Sequence, residues 1–131
     1  MADMPRLLFI DDQPDFLATI SFWMRSQNYE VITAKDGQTG IDIVKKGGAD
    51  IVFCDFKMPG LDGIETIRLI RQINQTIPVI LVTAYTDKAA IRDIRELKIT
   101  AFFPKMGQFT ELEQVLEVVI RGLNKSKEEK S

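Results

Sequence analysis

The chain has 131 residues, 45% of them apolar and 27% charged, with a formal net charge of −2. That composition fits one globular domain with a sizeable core, and so small a charge creates no field that would draw the chain to nucleic acid or an anionic membrane. There is no histidine and one cysteine, which excludes a Ser-His-Asp or Cys-His nucleophile, a His-liganded zinc site and an internal disulfide. Any metal here must be held by oxygen, which points to magnesium, calcium or manganese. No apolar run approaches the length of a membrane span, and Met1 to Arg6 with the short run Leu7 to Ile10 behind it is too little for a signal peptide. The expected compartment is the cytoplasm, where the lone thiol of Cys54 stays reduced.

Arg6 to Ile10 is an apolar run ending at Asp11 and Asp12, and reads as a first strand. Pro14 suits a first helical turn. Phe16, Ile20, Trp23 and Met24 then recur at helical spacing, which predicts a helix to about Gln27 with these aromatics in its core. Tyr29 to Ala34 is rich in β-branched residues and reads as the second strand. Asp36 can cap a helix over residues 37–46, weakened by Gly37 and Gly40 and ended by Gly47 and Gly48. Ile51 to Cys54 is apolar throughout and runs into a lone carboxylate, Asp55. Pro59, Gly60 and Gly63 follow as turn residues, so this is a strand buried on both faces with Asp55 at its carboxyl end.

Asp62 and Glu65 resemble a capping box for a third helix, predicted to carry Ile64, Ile67, Ile70 and Ile73 inward. Thr76 to Val82 is the fourth strand, with Pro78 tolerated at its start, and it ends at Thr83-Ala84. Thr86 and Asp87 can cap a fourth helix with Ala90, Ile91, Ile94 and Leu97 as its apolar positions. Ile99 to Phe103 is the fifth strand, closed by Pro104-Lys105. Thr110 and Glu113 form a further capping-box pattern, and Leu112, Val115, Leu116, Val119, Ile120 and Leu123 give the last helix a clear 3.6-residue period. Residues 124–131 are polar and charged. They read as a frayed tail or linker stub behind a domain over residues 1–123.

Strand and helix alternate five times with short connections. This predicts an α/β fold, a doubly wound five-stranded parallel sheet with helices on both faces. Parallel strands put their carboxyl ends along one edge, where ligands bind. That edge would gather Asp11, Asp12, Asp55, Thr83 and Lys105. Three carboxylates so close repel one another and need a cation. Lys105 is one, and oxygen ligands in a partly open site suit Mg²⁺ as another. The chemistry this permits is phosphoryl transfer onto a carboxylate, with Asp55 as the candidate nucleophile. Lys105 and the Thr83 hydroxyl could each stabilise charge on the phosphoryl oxygens. An aspartate is already ionised at neutral pH, so no general base is required.

Four motifs occur in order, each at a predicted strand end: Asp11-Asp12, the run Asp55-Phe56-Lys57-Met58-Pro59-Gly60-Leu61-Asp62-Gly63, Thr83-Ala84, and Phe102-Phe103-Pro104-Lys105. Together they resemble the receiver domain of bacterial two-component response regulators, over about Arg6 to Leu123. The resemblance, and not the hydropathy pattern, implies a flavodoxin-like sheet of order 2-1-3-4-5. It also implies roles. Asp55 is the phosphoacceptor, modified to 4-aspartylphosphate. Asp12 binds Mg²⁺ directly, Asp11 does so largely through water, and the backbone carbonyl of Lys57 joins Asp55 as a further ligand. Lys105 pairs with the phosphoryl group, Thr83 is the switch hydroxyl, and Phe102 is the switch aromatic. The domain would catalyse its own phosphorylation and dephosphorylation.

The partners implied are a histidine kinase or histidine phosphotransfer protein as donor, and an output domain or protein met through the fourth helix, fifth strand and fifth helix. The chain would be a monomer or a phosphorylation-linked dimer, without direct nucleic-acid or membrane contact. Two departures stand out. Met106 follows Lys105 where the family usually has proline after a cis bond; a non-proline cis bond costs about 2.5–4 kcal/mol, so a trans bond is expected. Lys57 and Tyr85 occupy variable positions beside the phosphoryl group and are candidates for setting its lifetime. The competing readings are a Mg²⁺-dependent aspartyl-phosphate hydrolase and a phosphorylation-independent adaptor. Such hydrolases usually carry a second Asp two residues after the first, and here that position is Lys57.

Overall fold

Residues 4–83 and 97–130 are described by the computed structural model. Their strands are β1 (Arg6–Ile10), β2 (Glu30–Ala34), β3 (Ile51–Asp55), β4 (Val79–Thr83) and β5 (Ala101–Pro104). All pair in parallel in one sheet of order β2-β1-β3-β4-β5, as the sequence resemblance implied. The helices are α1 (Pro14–Ser26), α2 (Gly37–Lys45), α3 (Gly63–Ile73) and the C-terminal α4 (Phe109–Lys130). The predicted helix carrying Ala90, Ile91 and Ile94, its caps Thr86 and Asp87, and the residues Ala84 and Tyr85 lie outside the described residues. Among the described residues no helix is long and apolar enough to cross a membrane.

The inner strands β1, β3 and β4 are apolar over most of their length because their residues meet a core on each face, whereas the edge strand β2 exposes Glu30 and Thr33. Successive side chains point to opposite faces of a strand. Leu8, Ile10, Val52, Cys54, Val79 and Leu81 pack with Ile41 and Val44 of α2 and Ile67 and Ile70 of α3. Leu7, Phe9, Ile51, Phe53, Ile80 and Val82 pack on the other face with Ile20 and Met24 of α1 and Leu112 and Leu116 of α4. Phe9 and Phe53 stack at 4.3 Å between ring centroids. Each such side chain contributes about 1.5–3 kcal/mol relative to exposure. The Cys54 thiol lies wholly inside, and burial, reinforced by Asp55, Asp11 and Asp62, pushes its pKa far up. It is an inert core thiol.

Local signals act where the sequence puts them. Asp36 accepts the Thr39 N–H at 2.7 Å and caps α2, and Asp62 accepts the Glu65 N–H at 2.8 Å and caps α3. The glycines of α2 weaken it as an isolated helix, and the packing explains them. A Cβ on Gly40 would run into the Ile10 side chain, and one on Gly37 into Thr66 Oγ1. Glycine lets α2 lie close against β1 and α3.

Three expectations need correction. Ile73 is 42% exposed rather than inward; Ile70 and the buried Thr66 hold the core side, and Thr66 Oγ1 donates to the Asp62 carbonyl. Thr110 does not cap α4. The helix begins at Phe109 and the Gln108 carbonyl accepts the Glu111 and Leu112 N–H groups, which leaves Thr110 inside the first turn. α4 runs on through residues 124–130, past the Leu123 where the sequence reading ended its apolar face. The bond between Lys105 and Met106 is trans, as expected, since the described residues contain no cis peptide.

Candidate functional site

Register assembles the site. Ile10 is level with Cys54 across β1 and β3, so the next residues, Asp11 and Asp55, emerge side by side. Asp55 is level with Val82 across β3 and β4, so Thr83 stands one step further up. Thr83 is level with Pro104 across β4 and β5, which delivers Lys105 to the same edge, and the Lys105 N–H donates to the Thr83 carbonyl at 2.9 Å.

Lys105 Nζ lies 3.2 Å from Asp55 Oδ2 and 2.8 Å from Asp11 Oδ2. It donates a hydrogen bond to Asp55 Oδ2. The contact with Asp11 Oδ2 is close but poorly aligned, so that buried oxygen is an ion-pair partner without a hydrogen bond among the described residues. Asp11 Oδ1 accepts the Gln13 N–H at 2.8 Å, which fixes the carboxylate. Asp12 is exposed at the mouth. One carboxylate oxygen from each of Asp11, Asp12 and Asp55 falls within 4.8 Å of the others. Hard, closely grouped oxygens with an unaligned buried one among them fit a hard divalent cation, so these residues suit Mg²⁺.

The electrostatics follow from burial. Desolvation raises the Asp55 pKa, the Asp11 charge raises it further, and Lys105 pulls it back. For Lys105, burial alone would lower the pKa, but the close contacts and charges of Asp11 and Asp55 outweigh it and hold the ammonium above its ordinary value. Lys105 therefore remains a cation, and it is one ammonium facing three carboxylates.

Gly63 sets how closely α3 approaches Asp55. A Cβ there would collide with the Asp55 carbonyl oxygen and come within 2.8 Å of Phe56 Cα. The Gly63 N–H donates to the Phe56 carbonyl at 3.0 Å. Among the remaining sequence candidates, the Thr83 side chain is half-buried at the edge, and Lys57 is exposed in the loop after Asp55. Phe102 is 43% exposed on β5. Tyr85 lies outside the described residues. One contributor was missed. Phe16, read as core, has its ring centroid 5.0 Å from Lys105 Nζ and braces the ammonium by a cation–π contact. The available signal was its position in the first helical turn after the Asp11-Asp12 pair.

The model of the response regulator receiver domain matches residues 7–117. The chain belongs to that family. This receiver domain is 30% identical over 112 residues to sporulation initiation phosphotransferase F of Bacillus subtilis, an alignment covering 86% of this chain and 90% of that protein. It is 34% identical over 84 residues to transcriptional regulatory protein AfsQ1 of Streptomyces coelicolor, covering 64% of this chain but 37% of that longer protein. Among solved structures it resembles the response regulator TrrA of Thermotoga maritima in complex with Mg²⁺-BeF, with a TM-score of 0.78 and 28% identity over 87% of this chain and 97% of that one. A receiver domain implies a histidine kinase or phosphotransferase as partner, and the acidic triad is typical of a receiver Mg²⁺ site.

Proposed function

We propose that the protein receives a phosphoryl group on Asp55 from a phosphohistidine and relays the change through its output face. The observation that carries this reading is the buried Asp55 with Lys105 Nζ at 3.2 Å and the oxygens of Asp11 and Asp12 beside it. In the forward step an Asp55 carboxylate oxygen attacks phosphorus. A P–O bond forms, the P–N bond breaks, and the imidazole leaves with the electron pair. Lys105 loses its hold on Asp55 Oδ2 as the carboxylate becomes an acyl phosphate, and pairs instead with the phosphoryl oxygens. Asp11, Asp12, Asp55 and the Lys57 carbonyl would hold Mg²⁺, which when bound neutralises the carboxylates and the charge on the transferring group. The Thr83 hydroxyl turns toward the phosphoryl oxygens, and the exposed Phe102 ring turns inward with it, which alters the face formed by the fourth helix of the sequence reading, β5 and α4.

Donor and output partners are a histidine kinase or histidine phosphotransfer protein and a downstream domain or protein. We read residues 1–123 as the receiver domain and 124–131 as a charged tail or linker, because the apolar face of α4 stops at Leu123. The test is incubation with acetyl phosphate and Mg²⁺, followed by intact mass. A stable gain of one phosphoryl group that is lost in Asp55→Asn supports the reading. Steady release of phosphate would instead indicate a hydrolase, and no reaction an adaptor. A long Lys57 side chain and the Tyr85 ring restrict in-line water in this scheme. Lys57→Ala and Tyr85→Ala should then lose the phosphoryl group several-fold faster, read by the decay of the phosphorylated mass, and an unchanged decay in both would refute the role.

A further inference from the structure

A second concave surface lies away from the acidic site, between α1 and the edge strand β2. It is a groove of about 630 Å³. Phe22, 78% exposed, stands over it from α1, and Arg25 and Lys35 line it with no carboxylate among its lining residues. This is an unbalanced positive surface on a chain whose net charge is −2. Among the described residues neither Arg25 nor Lys35 forms a salt bridge; Asp36, next to Lys35, accepts the Thr39 N–H at 2.7 Å as the cap of α2.

The strand itself offers hydrogen bonds. β2 terminates the sheet, so alternate peptide groups point away from it. The Asp11 N–H donates to the Ala34 carbonyl at 3.0 Å, which turns Ala34 toward β1 and turns Thr33 and Val31 outward. Arg25 Nη2 already uses the Val31 carbonyl, at 3.1 Å, as a strand partner would. Ser21, 4% exposed, adds a hydroxyl to the lining that has no hydrogen-bond partner among the described residues.

We propose that this groove docks an extended acidic peptide segment of a partner protein, added alongside β2. Main-chain hydrogen bonds to the outward groups of Thr33 supply the pairing, Phe22 covers apolar side chains, and Arg25 and Lys35 take carboxylates at the two ends. Charge complementarity selects the partner class, since a basic or neutral strand would leave two cations facing nothing.

The probe is a capped heptapeptide, Glu-Thr-Val-Thr-Val-Thr-Glu, whose alternate residues direct two valines and both glutamates to one face. It is titrated into the ¹⁵N-labelled full chain, with affinity read by anisotropy of the labelled peptide. Amide shifts confined to β2 and α1 are expected. Binding should weaken about tenfold in Arg25→Glu/Lys35→Glu and in Phe22→Ala, and for the probe with both glutamates replaced by lysine. Both sets of positions are on the surface, and unchanged spectra elsewhere confirm that the variants fold. Absence of shifts at millimolar peptide, shifts centred on another face, or equal affinity for the lysine probe would overturn the proposal. Concentration-dependent shifts of the same residues without peptide would also overturn it, because they identify a second copy of the chain as the occupant.

Discussion

Gly63 contributes no side chain, yet it decides how α3 sits against Asp55. Any Cβ there meets the backbone of Asp55 and Phe56, which cannot swing aside as a flexible side chain would. Gly63→Ala should cost about 1–3 kcal/mol, seen as a Tm lowered by several degrees, and it should also slow phosphorylation because the loop after Asp55 must shift. Asp36 gives a residue-scale prediction with a defined pH sign. Its carboxylate is held below its ordinary pKa, chiefly by the hydrogen bond from the Thr39 N–H. A folded pKa below the unfolded one means the contribution is complete above the unfolded value, near ~3.9, and is lost as pH falls through the folded value. Asp36→Ala should lower stability by about 1 kcal/mol near neutral pH, and the gap from the parent protein should close as denaturant midpoints are measured down toward pH 3. Asp36 as a cap was legible in the sequence because capping is local. The bracing of Lys105 by Phe16 was not, because it joins α1 to the loop after β5.

At the scale of elements, α3 separates what periodicity reads from what packing decides. Ile64, Ile67, Ile70 and Ile73 recur every third residue, but a helix has 3.6 residues per turn, so a strict three-residue spacing drifts around the axis. By Ile73 the side chain has left the core face and stands 42% exposed. Ile70→Ala should cost about 2–5 kcal/mol and Ile73→Ala under about 0.5 kcal/mol in urea unfolding; similar costs for both would contradict the packing described. The end of α3 is held by Arg71. Its guanidinium donates to the carbonyls of Leu97 (2.7 Å), Ile77 (2.6 Å), Lys98 (2.9 Å) and Asn74 (3.3 Å). This ties α3 to the turns ahead of β4 and β5. No local pattern announces it, because two of those carbonyls lie 26 and 27 residues away.

At the scale of the whole molecule, the sheet stores repulsion at one edge. Asp11, Asp12 and Asp55 converge where, among the described residues, the Lys105 ammonium pairs with Asp11 and Asp55. A cation that binds only the folded arrangement stabilises it by mass action, about 2.7 kcal/mol at a hundred times its Kd. Mg²⁺ should therefore raise the Tm by several degrees, and Asp12→Ala should abolish most of the rise while folding normally, since Asp12 is exposed. A Tm indifferent to millimolar Mg²⁺ would count against the metal site.

The sequence by itself marked the five strands and the described helices, because apolar runs and helical periods encode burial locally. It also marked the strand-end residues, since a carboxylate closing the apolar run Ile51 to Cys54 is conspicuous in one dimension. The tertiary structure decided which of those ends become neighbours. Lys105 reaches Asp55 across 50 residues, and it does so through parallel register, β3 against β4 and β4 against β5, which no local pattern specifies. Close packing decided the rest. Gly37 and Gly40 look like weaknesses in a linear reading and Gly63 like a turn residue, and each is glycine because another part of the chain occupies the space a Cβ would need.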